Sequence, residues 1–303
     1  MNLLTKIKNY INRKVLKTPG VKFLQQNSDI NLRKKHINFW LNRARKKKSF
    51  QKYFFQKVDK QNNQITFKNE SKNYKLNQKM LDSLSNNGLL IIEDALPEFE
   101  RNQIIEYFDE LKNNSKFEKK WLKKPYNPCF YTELSEMLGL TSIKNFELLN
   151  SYSKQFSKEI YGKIVEPTVE LRYLKYDKDC EEEKVKGATY LHTDRFLPHF
   201  KAYYAPFEIT MNTAPLEYVL SSHKINDDYL NFYYETKNFD ETDKLFNKFK
   251  FEKKVVCVPK NSFYIAFTNG FHKRTQFKNN DERSLVFLQY VERFNKIDYL
   301  SIF

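Results

Sequence analysis

Residues 262–272 read Ser262-Phe-Tyr-Ile-Ala-Phe-Thr-Asn-Gly-Phe-His272: an aromatic and aliphatic run, a Thr-Asn-Gly turn, and a histidine just beyond it. A short apolar run closed by turn residues predicts a buried strand over 262–267. Its neighbours repeat the texture. Strands are predicted over 169–176, 200–211, 216–220, 254–258 and 284–291, each short, rich in aromatic or β-branched residues and bounded by turns. Upstream of Pro167 the pattern is mostly helical. Residues 81–88 end at Gly88, 98–112 carry Ile104, Ile105, Phe108 and Leu111 at helical spacing, and a further helix is predicted over 142–161. Leu89-Leu-Ile-Ile92 is a compact apolar strand among these helices, and 231–250 reads as a helical insertion among the later strands. Short strands after a helical lead-in predict a mainly β chain with a helical flank (α+β). Its core is expected to be a double-stranded β-helix (jelly roll, cupin-like) with N-terminal helices.

Composition supports a packed core and narrows the function classes. Of 303 residues, 27 are Phe and 20 Tyr, which places the chain outside the disordered class despite its 30% charged content. Cys129, Cys180 and Cys257 lie far apart with no CxxC spacing, so neither a zinc knuckle nor a disulfide framework is indicated. Three thiols in a reducing, cytoplasmic setting are expected. No continuous apolar stretch or small-residue cleavage site marks residues 1–16 as a signal peptide, and the longest apolar runs are too short to cross a bilayer.

The net charge of +16 belongs to one segment. Residues 1–60 hold 17 of the 53 Lys and Arg but only two of the 37 acids, Asp29 and Asp59, so the remaining chain is near neutral. This asymmetry divides the sequence into a basic helical extension (1–60), an Asn-, Gln- and Lys-rich connector (61–80) and a domain (81–303). In the extension, Leu3, Leu4, Ile7, Ile11, Val15 and Leu16 share helical spacing, and Ile37, Trp40 and Leu41 mark a second helix over 31–48. Three readings stand for this arm: a solvated extension packed partly on the barrel, attachment to an anionic membrane surface, and nucleic-acid binding. The amphipathic 1–17 stretch ranks a membrane surface or an anionic substrate ahead of nucleic acid.

The chemistry rests on Leu191-His192-Thr193-Asp194. In an extended segment residues i and i+2 point to the same side, so His192 and Asp194 present an imidazole and a carboxylate together. A histidine from a distant strand completes a two-histidine, one-carboxylate set. Such a set occupies one face of an octahedral Fe(II) and leaves open positions for a bidentate co-substrate and O2. His272 is the natural third member. Eleven residues on, Arg283 opens the strand Arg283-Ser-Leu-Val-Phe287. A guanidinium facing into a barrel requires an anionic partner, and a dicarboxylate co-substrate supplies one, bound in bidentate fashion.

These residues resemble the phytanoyl-CoA dioxygenase-like family of Fe(II)/2-oxoglutarate-dependent oxygenases. Residues 84–111, LSNNGLLIIEDALPEFERNQIIEYFDEL, are similar to its opening helix–strand–helix, and His192-Thr-Asp194 to its HxD motif. Pro215-Leu-Glu-Tyr-Val-Leu-Ser-Ser-His-Lys224 is similar to its GPLxxxPGSHK segment, and His272 and Arg283 stand at its interval between distal ligand and co-substrate anchor. The resemblance covers roughly residues 80–292. Two departures alter turn chemistry: Leu220-Ser221 replaces Pro-Gly, and Ala214 replaces the Gly before the proline. The resemblance implies Fe(II) on His192, Asp194 and His272, 2-oxoglutarate on Arg283, and hydroxylation of an unactivated C–H with release of succinate and CO2. The substrate expected is a small or lipid- or saccharide-linked metabolite. Arg172, Tyr190 and Lys201 are candidate co-substrate or substrate contacts. His223 reads as a turn-stabilising hydrogen bonder, His199 as either a pocket or an exposed residue, and the aromatic run 200–207 as core and barrel wall. Two other functions compete: a cupin-like binding protein without catalysis, and an oxygenase acting on nucleic acid or protein through the basic arm.

Overall fold

The computed structural model describes residues 31, 34, 37–38, 41–42, 44–56, 64–69, 75–113, 131–138, 147–165, 167–176, 191–194, 199–227, 229–231, 252–275 and 282–290. In chain order these form β1 (Thr66–Lys68), α1 (Gln78–Asn87), β2 (Leu89–Glu93), α2 (Glu98–Asn113), β3 (Tyr131–Leu138), α3 (Glu147–Tyr161), β4 (Thr168–Tyr176) and β5 (Phe200–Ala205). They continue with β6 (Leu216–Val219), β7 (Lys253–Val255), β8 (Ser262–Phe267), β9 (His272–Arg274) and β10 (Glu282–Gln289). A seven-stranded sheet has the order β1-β2-β8-β5-β10-β4-β3, and a three-stranded sheet the order β7-β6-β9. All pairings are antiparallel except β1 with β2.

The period-2 alternation of the strands separates two cores. In β8, Phe263, Ile265 and Phe267 turn towards the helices, while Tyr264 and Ala266 turn towards the smaller sheet. β10 sends Val286 and Leu288 one way and Leu285 the other, and β2 divides Leu90 and Ile92 from Leu89 and Ile91 in the same manner. On the helical side, Tyr152 and Phe156 of α3 stack on Phe263 at centroid distances of 5.4 and 5.8 Å. On the other side, Tyr218, Val256 and Val258 close the space between the sheets. Helices over one face of a sheet whose other face packs on a second sheet form the expected double-stranded β-helix with a helical flank.

Local chemistry sets the element ends. Asn77 caps α1 by accepting from Met80 N at 2.9 Å. Gly88 ends it at φ 73°, in the left-handed region, with its N–H on Leu84 O. A Cβ at Gly88 would also strike His223 Nδ1 and the Tyr218 hydroxyl, so glycine is required there twice over. The strand predicted over 200–211 stops at Ala205 because Pro206 has no N–H to continue the ladder, and Ile209 returns alone to bridge Val258. β1 lies inside the stretch read as a connector, and β3 has no counterpart among the predicted strands. As an edge strand pairing only with β4, β3 needs no continuous apolar run. Most of the insertion predicted over 231–250, the helix predicted over 1–17, Cys129 and Cys180 lie outside the described residues.

Within the basic segment, Ile37, Leu41, Ala44, Phe50, Tyr53 and Phe54 belong to the same core as α1–α3. Phe54 packs edge-on against Phe267 of β8 at 4.6 Å. Lys224 Nζ donates to Tyr53 O at 2.9 Å, tying this segment to the barrel through a buried ammonium. Burial pushes the Lys224 ammonium down from 10.5 to about 8. The folded chain therefore binds this proton less tightly than the unfolded chain, and the charged form opposes folding fully below about pH 8. Relative to Lys224→Met, wild-type stability is expected to rise as pH climbs from about 8 towards 10.5, by roughly 3 kcal/mol at most. Urea denaturation of both proteins across that window checks the sign; a flat difference contradicts it. Among the described residues no helix is long and apolar enough to cross a membrane.

Candidate metal centre

The HxD segment is held by a backbone ladder against β9. His192 and His272 exchange both N–H···O bonds at 2.9 Å, and Asp194 N donates to Thr268 O at 2.8 Å. This places the two imidazoles 4.5 Å apart between centroids. One ligand atom from each of His192, Asp194 and His272 lies within 4.8 Å of the others. The structure thus brings together all three residues singled out by their spacing.

The donor set has the chemistry a divalent cation requires. His272 Nδ1 lies 2.9 Å from Gly270 O, which assigns the proton to Nδ1 and leaves the Nε2 lone pair towards Asp194. Burial, with His192 beside it, pushes His272 down to about 3, so the ring is neutral and able to ligate at neutral pH. Desolvation works against the Asp194 carboxylate, but Lys201, His272 and His199 outweigh it and hold the group well below the usual carboxylate range. Lys201 Nζ stands 2.8 Å from Asp194 Oδ2. Asp194 Oδ2 is thereby a buried, ionised oxygen. A buried acceptor in that state, facing two imidazole nitrogens, fits a metal ion.

The loop that carries His272 is fixed by the Pro215–Lys224 segment. Ser222 Oγ accepts from Phe271 N at 2.8 Å and donates to Val219 O at 2.6 Å. Asn269 Nδ2 donates to His223 O, and the Tyr218 hydroxyl donates to Phe267 O. His223 Nε2 donates to Ser85 O at 2.9 Å, and the ring is fully buried with its pKa pushed far down. It is the structural hydrogen bonder that its sequence context indicates. Gly270 admits no side chain, since a Cβ there would collide with the Tyr218 hydroxyl.

Both departures from the family's glycines have a visible consequence. Ala214 and Ser221 take φ values of 53° and 63°, the left-handed region that disfavours a Cβ. Ser221 offsets this through its Oγ, which donates to Asn86 O at 2.9 Å. Ala214 has no such bond. Ala214→Gly is therefore expected to stabilise the fold by roughly 0.5–1 kcal/mol, read as a rise in thermal midpoint; an unchanged or lower midpoint contradicts the strain.

Beside the cluster is a cavity of about 200 Å³ whose lining includes Arg283, Lys201 and Arg172. Arg283 is buried and donates through Nη1 to Ala214 O. Lys201 and Arg172 flank the Phe287 ring, at 5.5 and 4.0 Å from its centroid. Tyr190 lies outside the described residues. His199 is buried and pairs with Thr268 Oγ1 at 2.6 Å, close behind Asp194, so it is not an exposed residue. Among the lining residues that were not anticipated are Tyr203, Tyr264 and Arg274. The run 200–207 is only partly core, because Phe200, Ala202 and Tyr204 face the helices while Tyr203 faces the cavity. Strand alternation from Lys201 and from His272 was the signal that could have found Tyr203 and Arg274.

No protein-family model matches the sequence, and no curated protein matches it. Solved structures match in fold. EctD from S. alaskensis with bound Fe aligns at a TM-score of 0.50 over 70% of this chain and 75% of its own, with 12% identity. AviO1 from Streptomyces viridochromogenes Tue57 aligns at 0.46 over 68% of this chain and 90% of its own, with 14% identity. HygX from Streptomyces hygroscopicus, solved with nickel and 2-oxoglutarate bound, aligns at 0.43 over 72% and 88%, with 14% identity. The chain is a double-stranded β-helix protein with a two-histidine, one-carboxylate cluster beside a basic cavity. It shares the fold of the iron-bound protein EctD.

Proposed function

We propose that the chain is an Fe(II)- and 2-oxoglutarate-dependent dioxygenase that hydroxylates an unactivated C–H of a small-molecule substrate. The observation that carries this reading is the cluster itself: two imidazoles, of which His272 is neutral, and one ionised carboxylate within 4.8 Å, beside a cavity lined by buried Arg283. The balanced reaction is R–H + O2 + 2-oxoglutarate giving R–OH, succinate and CO2. Fe(II) with 2-oxoglutarate supplies the oxidising power that O2 alone lacks towards a C–H bond.

The protein's part is placement. His192, Asp194 and His272 hold the metal, and Gly270 O fixes the His272 ring in the ligating tautomer. Arg283 holds the far carboxylate of 2-oxoglutarate, with Tyr203 and Tyr264 forming adjacent wall. Burial pushes the Tyr264 hydroxyl up to about 12 and Tyr203 higher still, so both remain neutral donors at physiological pH. A cavity of about 200 Å³ is small beside ligand pockets of roughly 300–1,000 Å³. It therefore accepts the co-substrate and the reacting end of a substrate, while the rest of a longer substrate lies outside. Phe50, Tyr53 and Phe54 of the basic segment pack into the core of 81–303, the domain that holds the site.

The test is 2-oxoglutarate-dependent succinate formation by the full chain with Fe(II) and O2 across pools of small metabolites. Succinate that requires both iron and O2 supports the reading. A protein that binds iron yet neither binds 2-oxoglutarate nor releases succinate contradicts it.

A further inference from the structure

One carboxylate oxygen of the cluster is contested by two kinds of partner. Asp194 Oδ2 stands 3.8 Å from His272 Nε2, within reach of an ion held by both, and the same atom stands 2.8 Å from Lys201 Nζ. The two neighbours come from different sheets: Lys201 from β5 of the larger, His272 from β9 of the smaller. The backbone of Asp194 is tied down, its N–H on Thr268 O at 2.8 Å. His199 Nδ1 lies 4.0 Å from the same Oδ2, but Thr268 Oγ1 at 2.6 Å fixes that ring. Lys201 differs from both imidazoles, because its ammonium rides on a flexible four-carbon stem.

Charge makes the two partners of Oδ2 alternatives. The side chains of Lys201 and Asp194 are only 16% and 21% exposed, so water screens little of the attraction or repulsion between charges there. A carboxylate in such a place needs a cation, and the ammonium is one that the chain itself supplies. A divalent ion on the same oxygen is another, and the two like charges repel at that separation. Lys201 also lines the cavity, its Nζ 5.5 Å from the Phe287 centroid. A displaced ammonium therefore has both a volume to turn into and an aromatic face that attracts a cation.

We propose, resting on the metal-centre reading, that Lys201 is a tethered counter-ion for Asp194, which a divalent metal displaces from Oδ2 when it binds. Lys201 stabilises the unloaded site and holds its metal affinity below what the three ligands alone would give. Metal loading turns its ammonium into the cavity, so Lys201 is a positioning residue with two stations.

The experiment is isothermal titration of the metal-depleted full chain with Mn(II), comparing wild type, Lys201→Met and Lys201→Arg. With the pair populated in at least about nine molecules in ten, its removal tightens apparent affinity about tenfold or more. Lys201→Met is therefore expected to melt lower without metal yet bind Mn(II) at least about tenfold more tightly than wild type. Lys201→Arg keeps the charge and is expected to bind no more tightly than wild type. Weaker Mn(II) binding by Lys201→Met shows a lysine that orients the carboxylate for the metal, and overturns the proposal; unchanged binding overturns it as well. A second measurement needs no variant. Trace acetylation of wild type by acetic anhydride, read by peptide mass analysis, is expected to label Lys201 at least about threefold more when Mn(II) saturates the site. Buried Lys224 serves as the internal control, with labelling that Mn(II) leaves unchanged. Lys201 labelling that Mn(II) leaves unchanged or lowers overturns the proposal. Absence of Mn(II) binding in both wild type and Lys201→Met is failure of the metal centre itself, whereas Mn(II) binding indifferent to Lys201 is failure of the counter-ion alone.

Discussion

Asp194→Asn is expected to lower the affinity for Mn(II), used as a redox-inert stand-in for Fe(II), by more than about 100-fold, beyond what loss of a hydrogen bond to a ligand brings about. The substitution keeps the shape of the side chain and removes the charge. Asp194 is the carboxylate of the cluster, held well below the usual carboxylate range by Lys201 and the neighbouring imidazoles. Two contributions separate in the measurement. Loss of the Lys201 contact at 2.8 Å lowers the melting temperature of the metal-free protein. Loss of the ligand abolishes the further rise in melting temperature that metal brings to wild type, since a ligand stabilises only the state that binds it. If Asp194 served the ion pair alone, metal-free stability would drop while the Mn(II)-dependent rise persisted. That pattern would contradict the metal assignment.

Arg283→Gln is expected to raise the KM for 2-oxoglutarate about 100-fold, with a smaller effect on kcat. Arg283 is buried, its Nη1 is anchored on Ala214 O, and it faces Tyr203 and Tyr264 in the cavity wall. A charge-assisted bidentate contact contributes on the order of 3 kcal/mol, which is two decades of affinity. Gln keeps one amide donor but is uncharged and two bonds shorter, so the loss reports charge, fork geometry and reach together. Arg283→Lys should recover only a fraction, as a point charge cannot reproduce two parallel N–H···O bonds. An unchanged KM would transfer the co-substrate to Arg172 or Lys201. Dihydroxylated or otherwise altered products with unchanged KM would implicate Arg283 in substrate placement instead.

Much of the site was legible because it lies on extended chain. His192 and Asp194 share a side by period-2 geometry alone, and the structure adds the ladder to His272 that closes the cluster. Arg283 was legible as a charge opening an otherwise apolar strand. The strands 262–267, 169–176 and 284–291 were found to within two residues because the first and last are largely apolar runs and 169–176 intersperses aromatic and aliphatic residues with charged ones. What escaped depends on contacts between segments distant in sequence. Tyr203 and Tyr204 are adjacent and chemically alike, yet one lines the cavity and the other packs under the helices. Strand alternation from Lys201 separates the two, but only the closing of β6 and β9 over the larger sheet makes the Tyr203 side a cavity wall. Arg274 was hidden for the same reason, sitting among Lys273, Arg274 and Thr275 as an ordinary polar strand end.

The Pro215–Lys224 segment illustrates the other limit. Its likeness to a family motif marked it, but its role appears only in three dimensions: Ser222 and His223 brace the loop that carries His272. Left-handed backbone at Ala214 and Ser221 explains why glycine suits those positions and why their replacement leaves the ligand set in place. The basic segment gave the opposite lesson. Its charge suggested a partner outside the protein, while its apolar residues Ile37, Leu41, Phe50, Tyr53 and Phe54 are part of the common core.

In the proposed dioxygenase, one cavity holds both the metal and 2-oxoglutarate. Anaerobic titration of 2-oxoglutarate into the Fe(II)-loaded full chain, followed by visible absorption, tests it most directly. A saturable charge-transfer band that needs iron, and is missing in Asp194→Asn, is the predicted result. Iron that binds stoichiometrically while 2-oxoglutarate produces no band and no change in melting temperature would contradict it.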